Sequence, residues 1–123
     1  MDKAKWFLTL LMGLLTVGCG PDTIFVRPGL DTPSQHVANG HQLLERGKIE
    51  DAYREFDRAR ELDPNYVKAY VGLGVALGRK GDIDAGMKNL AIAEKMAKSV
   101  QEHEAVQEGY ARLNQLKRMR RYP

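Results

Sequence analysis

The chain repeats itself with a period of 34 residues. From Pro33 onward come Gly40, Gly47, Ala52, Phe56, Ala59 and Pro64; 34 places later stand Gly74, Gly81, Gly86, Leu90, Ala93 and Lys98. The order small, turn, small, large, small holds in both copies, and only the last place loses its type. A period of this length marks helix–turn–helix units stacked side by side, because one unit alone has nowhere to bury its apolar face. The sequence therefore predicts an all-α fold. Two helix pairs form a short solenoid, and a further helix closes it at the C-terminal end.

The helix limits follow from capping chemistry. Thr32-Pro33-Ser34-Gln35 offers an N-cap hydroxyl, proline at the first helical position and a Gln at the third, a capping box over a first helix from Pro33 to Arg46. Gly47 supplies the left-handed stop. The second helix, Ile49 to Leu62, places Ile49, Ala52, Tyr53, Phe56, Ala59 and Leu62 at 3–4 spacing. Its wet face carries Glu50–Arg54 and Asp57–Glu61 as pairs of opposite and like sign. Asp63-Pro64-Asn65 breaks that helix and is expected to cap a third, Tyr66 to Arg79. Asp82 caps a fourth, Ile83 to Lys98. Ser99-Val100-Gln101-Glu102 is a second capping box and opens a last helix, to Arg118.

Small residues mark where helices come close. Gly40 and Gly74 are expected inside each pair, Ala59 and Ala93 between pairs, with Phe56 and Leu90 filling the space. Gly72 and Gly78 lie in the same helix as Gly74, and each costs ~1 kcal/mol relative to Ala. Two readings stand for them: a groove floor approached by a ligand backbone, or a weak helix that its neighbours hold. In the last helix, Val106, Gly109, Leu113 and Leu116 form an apolar line flanked by Tyr110, suited to cover the fourth helix. After Glu108 there is no acid, and Arg112, Lys117, Arg118, Arg120 and Arg121 follow. This run reads as a helix end whose cations complement the dipole, or else as a contact for anionic lipid or an acidic partner.

The segments LERGKIEDAYREFDRARELDPNY and AYVGLGVALGRKGDIDAGMKNLAIAEKMAKS resemble the tetratricopeptide repeat, the first more closely than the second, over Pro33 to Ser99. The resemblance implies units at 33–66 and 67–100, with 101–123 as the capping helix and basic tail. It also implies a concave groove lined by the first helix of each unit. By family position the facing residues are Ser34, Val37, His41, Leu44 and Glu45, then Lys68, Val71, Val75, Gly78 and Arg79. The binding set is taken as Val37, His41, Leu44, Lys68, Val71, Val75 and Arg79. Such a surface suits an amphipathic or extended peptide bearing an acid group. Members that clamp a terminal carboxylate use Lys and Asn where this chain has Val37, His41 and Val75, so that specialised activity is not implied.

The N-terminus carries a different signal. Lys3 and Lys5 precede an uncharged apolar run of twelve residues, Trp6 to Val17. As a helix it rises about 18 Å, short of the ~30 Å hydrocarbon core, so it reads as an export signal rather than an anchor. Leu15-Thr16-Val17-Gly18 before Cys19 resembles a bacterial lipobox. The resemblance implies cleavage of residues 1–18 and acylation of Cys19, the single cysteine; more than one acyl chain holds a membrane where one binds only marginally. Residues 19–32, with two prolines and two glycines, read as a tether. Its Ile24-Phe25-Val26 is expected to pack on the first helix or else to form a short edge strand. Gly20 rather than an acid follows Cys19, which implies the outer membrane, facing the periplasm.

Composition excludes other classes. Loss of the first 18 residues removes Lys3, Lys5 and Asp2 and leaves the formal charge at +2 instead of +3. That balance does not fit a nucleic-acid binder. His36 and His41 stand about 140° apart around a helix and cannot share a metal; His103 is alone. No nucleophile–base order, phosphate loop or zinc spacing appears. The expectation is a non-enzyme without cofactor or metal: a lipid-anchored adaptor for an envelope protein or peptide. The alternatives are an assembly factor of a pilus or secretion machine, similar in layout to a pilotin, and a structural subunit that stacks end to end, including on its own copies.

Overall fold

The computed structural model describes residue 29 and residues 31–122. The export signal, Cys19 and the Ile24-Phe25-Val26 segment lie outside the described residues. Among the described residues five helices follow one another: α1 Pro33–Glu45, α2 Ile49–Leu62, α3 Val67–Lys80, α4 Ile83–Met96 and α5 Val100–Arg121. The fold is all-α, a short solenoid of two antiparallel pairs closed by a long last helix.

Capping chemistry sets most of these limits. Gly47 and Gly81, one period apart, take positive φ of 74° and 115° and turn the chain after α1 and α3. The Asp82 carboxylate accepts from the Ala85 amide at 2.9 Å. The box at α5 is complete: the Ser99 hydroxyl accepts from the Glu102 amide, and the Glu102 carboxylate accepts from the Ser99 amide at 3.0 Å. The box expected at α1 is only half made. Thr32 Oγ1 accepts from the Gln35 amide, but the Gln35 side chain turns to Asn39. Asn65 does not cap α3. Its amide is bound by the Asp63 carboxylate in a local turn, and Tyr66 stands at the N-cap without a side-chain bond. The helix ends also move by one to three residues: α4 stops at Met96 because the chain turns extended at Ala97.

The ion pairs on α2 differ from the expected ones. Arg54 pairs with Asp51 and Arg60 with Asp57, both three residues apart, while Glu50 reaches across to Lys80 on α3 at 2.9 Å. Contacts three residues apart relieve the like-charge Asp57–Glu61 spacing, since Arg58 also takes Glu61.

The core has two centres joined by α3. The first gathers Val37 and Leu44 of α1, Ala52, Phe56 and Ala59 of α2, and Ala69, Leu73, Val75 and Ala76 of α3. The second gathers Val67 and Val71 of α3, Leu90 and Ala93 of α4, and Val106 and Leu113 of α5. A helix that feeds both must be apolar nearly all round. Residues 71–76 of α3 are all buried.

The three glycines of α3 are explained by this position: of the two readings of Gly72 and Gly78 the groove floor gives way, and the weak helix held by its neighbours fits. A Cβ at Gly72 would run into the Phe56 ring, and one at Gly78 into Leu113. At Gly74 it would meet the Gly86 carbonyl oxygen at 2.9 Å. Each glycine thus opens α3 to a different neighbour: α2, α4 and α5. α5 therefore covers α3 as well as α4. Tyr110 adds a hydroxyl bond to Glu94 of α4 at 3.1 Å.

Helix propensity and packing give Gly72→Ala opposite signs. Propensity favours Ala by ~1 kcal/mol, whereas overpacking costs about 1–3 kcal/mol. Packing is expected to win, so that the variant melts at a lower temperature. In a Phe56→Ala background, where the ring is gone, the same change is expected to be neutral or stabilising. A double-mutant cycle of thermal melts reads the coupling directly.

Candidate functional site

A cleft of about 180 Å³ opens along α3. Its floor is Val71 and Val75, its near wall is His41 of α1, and its far wall is Ala105, Glu108, Gly109 and Arg112 of α5, with Lys68 at the mouth. The helical period places Ala105, Glu108, Gly109 and Arg112 on one face of α5. A second depression of similar size adjoins it and shares Val75 and Arg112; Arg79, Gln115, Leu116 and Met119 complete that part. Together they run beside α3 between its two flanking helices.

The structure divides the sequence-derived set. His41, Lys68, Val71 and Val75 line the cleft, and Arg79 lines its continuation. Val37 and Leu44 are 6% and 3% exposed and pack in the first core centre. Gly78 meets Leu113 instead of solvent. The Arg79 guanidinium donates to the Leu44 carbonyl at 2.7 Å and so closes the end of α1. The contribution of α5 escaped the sequence reading. The pair Glu108–Arg112, four residues apart, was the available signal. Nothing in the 34-residue period says that this face turns inward, because α5 lies beyond the second repeat.

His41 records the electrostatics. Its ring stands edge-on to Phe56, with centroids 5.2 Å apart and planes at 72°. Although the side chain reaches water, the surrounding protein desolvates the ring and pushes its pKa below the ordinary 6.5. The Arg112 guanidinium adds to this and Lys68 contributes, while Glu108 and Glu45 oppose it. The cleft is thus apolar at its floor, with cations and carboxylates of both signs at its rim. It is equipped to hold an apolar side chain beside an anionic group.

The remaining features point elsewhere. Among the described residues, no group of three or more His, Cys, Asp or Glu is placed to hold a metal ion. No described helix is long and apolar enough to cross a membrane. In the basic run, Arg112 pairs with Glu108, and the Arg120 guanidinium donates to the Gly81 carbonyl at 2.7 Å, fastening the end of α5 to the α3–α4 turn. Lys117 and Arg121 face Asp82 and Asp84 across a shallow hollow at the same place.

An NMR titration of the three histidines tests the cleft's field. His41 is expected to titrate below 6.5, and Arg112→Gln is expected to move it upward. Because the folded value lies below the unfolded one, the stability due to neutral His41 is complete above pH 6.5. It declines as the pH falls from there through the folded value.

Comparison with known proteins agrees with this architecture. No curated protein and no solved structure gave a significant match. A family model described as TPR repeat matches residues 40–81, from the middle of α1 through α2 to the end of α3. Such repeats are protein–protein interaction modules. Over residues 40–81 the chain is thus similar to a tetratricopeptide repeat, in keeping with its short all-α solenoid.

Proposed function

We propose that this chain is a lipid-anchored adaptor of the bacterial envelope, which holds an extended or amphipathic peptide of a partner protein in the cleft between α1, α3 and α5. The observation that carries the binding role is the cleft itself. Two apolar residues form its floor, and cations stand on facing helices at its rim: Lys68 on α3 and Arg112 on α5. Apolar contact supplies affinity, and the rim cations select a peptide with a carboxylate close to its apolar anchor. Arg112 already pairs with Glu108, so Lys68 is the cation left to meet the ligand. Catalysis has no part in this reading.

The anchor rests on the sequence. The twelve-residue apolar run, the Leu15-Thr16-Val17-Gly18 motif and Cys19 support acylation after export. Gly20 in the place after Cys19 supports the outer membrane, with the solenoid facing the periplasm. Cys19→Ser is expected to leave an unacylated protein, either uncleaved or soluble in the periplasm. Mass spectrometry and membrane fractionation of cells making the variant check this. Unchanged mass and unchanged membrane recovery would remove the anchor from the model.

The cleft is tested by selecting a random peptide library on the protein. Peptides that pair an apolar residue with Asp or Glu are expected to be enriched. Lys68→Glu is expected to weaken their binding at least tenfold without changing the melting temperature, since Lys68 is exposed. Asp84→Lys, at the far turn, is expected to leave binding intact. If Lys68→Glu binds as the parent does, the peptide site lies elsewhere.

A further inference from the structure

His36, on the face of α1 turned about 140° from His41, takes part in a chain of charges that the cleft does not use. Its Nδ1 lies 2.8 Å from Glu55 Oε2 of α2, and its Nε2 lies 2.7 Å from Asp31 Oδ1, in the segment leading into α1. The second oxygen of Asp31 accepts from Arg58 of α2 at 2.8 Å. Asn39 of α1 donates to the Glu55 carboxylate at 3.3 Å. Along the chain the charges alternate: Arg58, Asp31, His36, Glu55.

The geometry ties these bonds to the protonation state. Ionised carboxylates only accept, and a neutral imidazole has one N–H to give. Both ring nitrogens lie at hydrogen-bond distance from carboxylates, so the two bonds form together only when the ring carries both protons. Remove one, and a ring lone pair faces a carboxylate across 2.7–2.8 Å. We propose that Asp31, His36, Glu55 and Arg58 form a proton-operated catch, which fastens the chain entering α1 onto α2 and releases it as the pH rises.

The surroundings support such a role. The His36 side chain is 16% exposed, and those of its partners are 30% exposed, so the pairs are shielded more than free surface pairs. Burial pushes the His36 pKa down, but the hydrogen bonds and charges of Asp31 and Glu55 outweigh it and hold it above 6.5. Arg58 and His36 hold Asp31 below its ordinary 3.8. The two shifts bound a window. The His36 contribution is complete below pH 6.5 and is lost as the pH rises through its raised value. The Asp31 contribution is complete above 3.8 and is lost as the pH falls through its lowered value. The catch is therefore firmest between these limits. It lies beside the N-cap, where Thr32 holds the Gln35 amide through its hydroxyl and the His36 amide through its carbonyl. Release thus frees the first turn of α1 and the point where the preceding chain joins the solenoid.

The test uses the full chain. Imidazole ¹⁵N shifts are expected to show His36 protonated on both nitrogens at pH 6 and titrating above 6.5. Asp31→Asn and Glu55→Gln are each expected to lower that value. Amide exchange at Gln35 and His36, corrected for intrinsic rate, is expected to accelerate by up to about tenfold per pH unit between 6.5 and the His36 pKa. Exchange at Leu73 in the core serves as control and is expected to stay flat. In His36→Gln, checked by circular dichroism for an unchanged fold, the pH dependence at Gln35 is expected to vanish. Titration of His36 at or below 6.5 overturns the proposal. So does a raised value with no pH-dependent opening, which would leave a static ion pair.

Discussion

Everything in this fold depends on α3 being approached from all sides. A helix packed on a partner usually stands 8–10 Å from it, at a distance set by the side chains between them. α3 must meet α1 and α2 on one side and α4 and α5 on the other. Three glycines in fourteen residues make that possible. Phe56, Leu90 and Leu113 are three of the four largest fully buried side chains, and each is received at a glycine of α3. The cost in helix propensity is offset by burial, which contributes roughly 25 cal/mol per Å² of apolar surface removed from water. Such a helix has little reason to form alone. It forms because four others enclose it.

That enclosure explains how two helix pairs stand without the roughly three stacked repeats usually needed. α5 takes the place of a third unit. Gly109 lets it sit against Leu90 and Val71, Leu113 fills the notch at Gly78, and the Ser99–Glu102 box starts it at the required angle. The same helix is the far wall of the cleft. Closure of the core and construction of the candidate site are one packing event, so Arg112 and Glu108 reach the cleft only once α5 has docked.

The polar contacts have a similar economy. Arg79 and Arg120, which read as surface cations, each donate to a carbonyl at a helix end: Leu44 for α1 and Gly81 for α3. Helix C-termini leave carbonyls without intrahelical partners and carry a negative partial charge, so a guanidinium placed there is stabilising on both counts. The end of α5 is thereby held at the α3–α4 turn. The His36 catch lies at the opposite end of the antiparallel pairs, near the start of α1 and the end of α2.

Much of the fold was legible in residues 33–121, because the signals there are local. A helix ends at Gly47 whatever surrounds it, Ser99 and Glu102 cap one another across three residues, and a period of 34 demands a stack. The site was legible only in part. The family position that marked Val37 and Leu44 as facing residues does not carry over to this chain, where the close approach of α2 and α3 buries both. What the sequence determined by itself was the element order, the glycine stops at Gly47 and Gly81 and the caps at Thr32, Asp82 and Ser99, all set by interactions within a few residues. The tertiary structure alone decided which neighbour each glycine of α3 admits, that α5 walls the cleft, and that His36 lies between two carboxylates. Those outcomes depend on distances between residues far apart in sequence, and such distances exist only after the helices have packed.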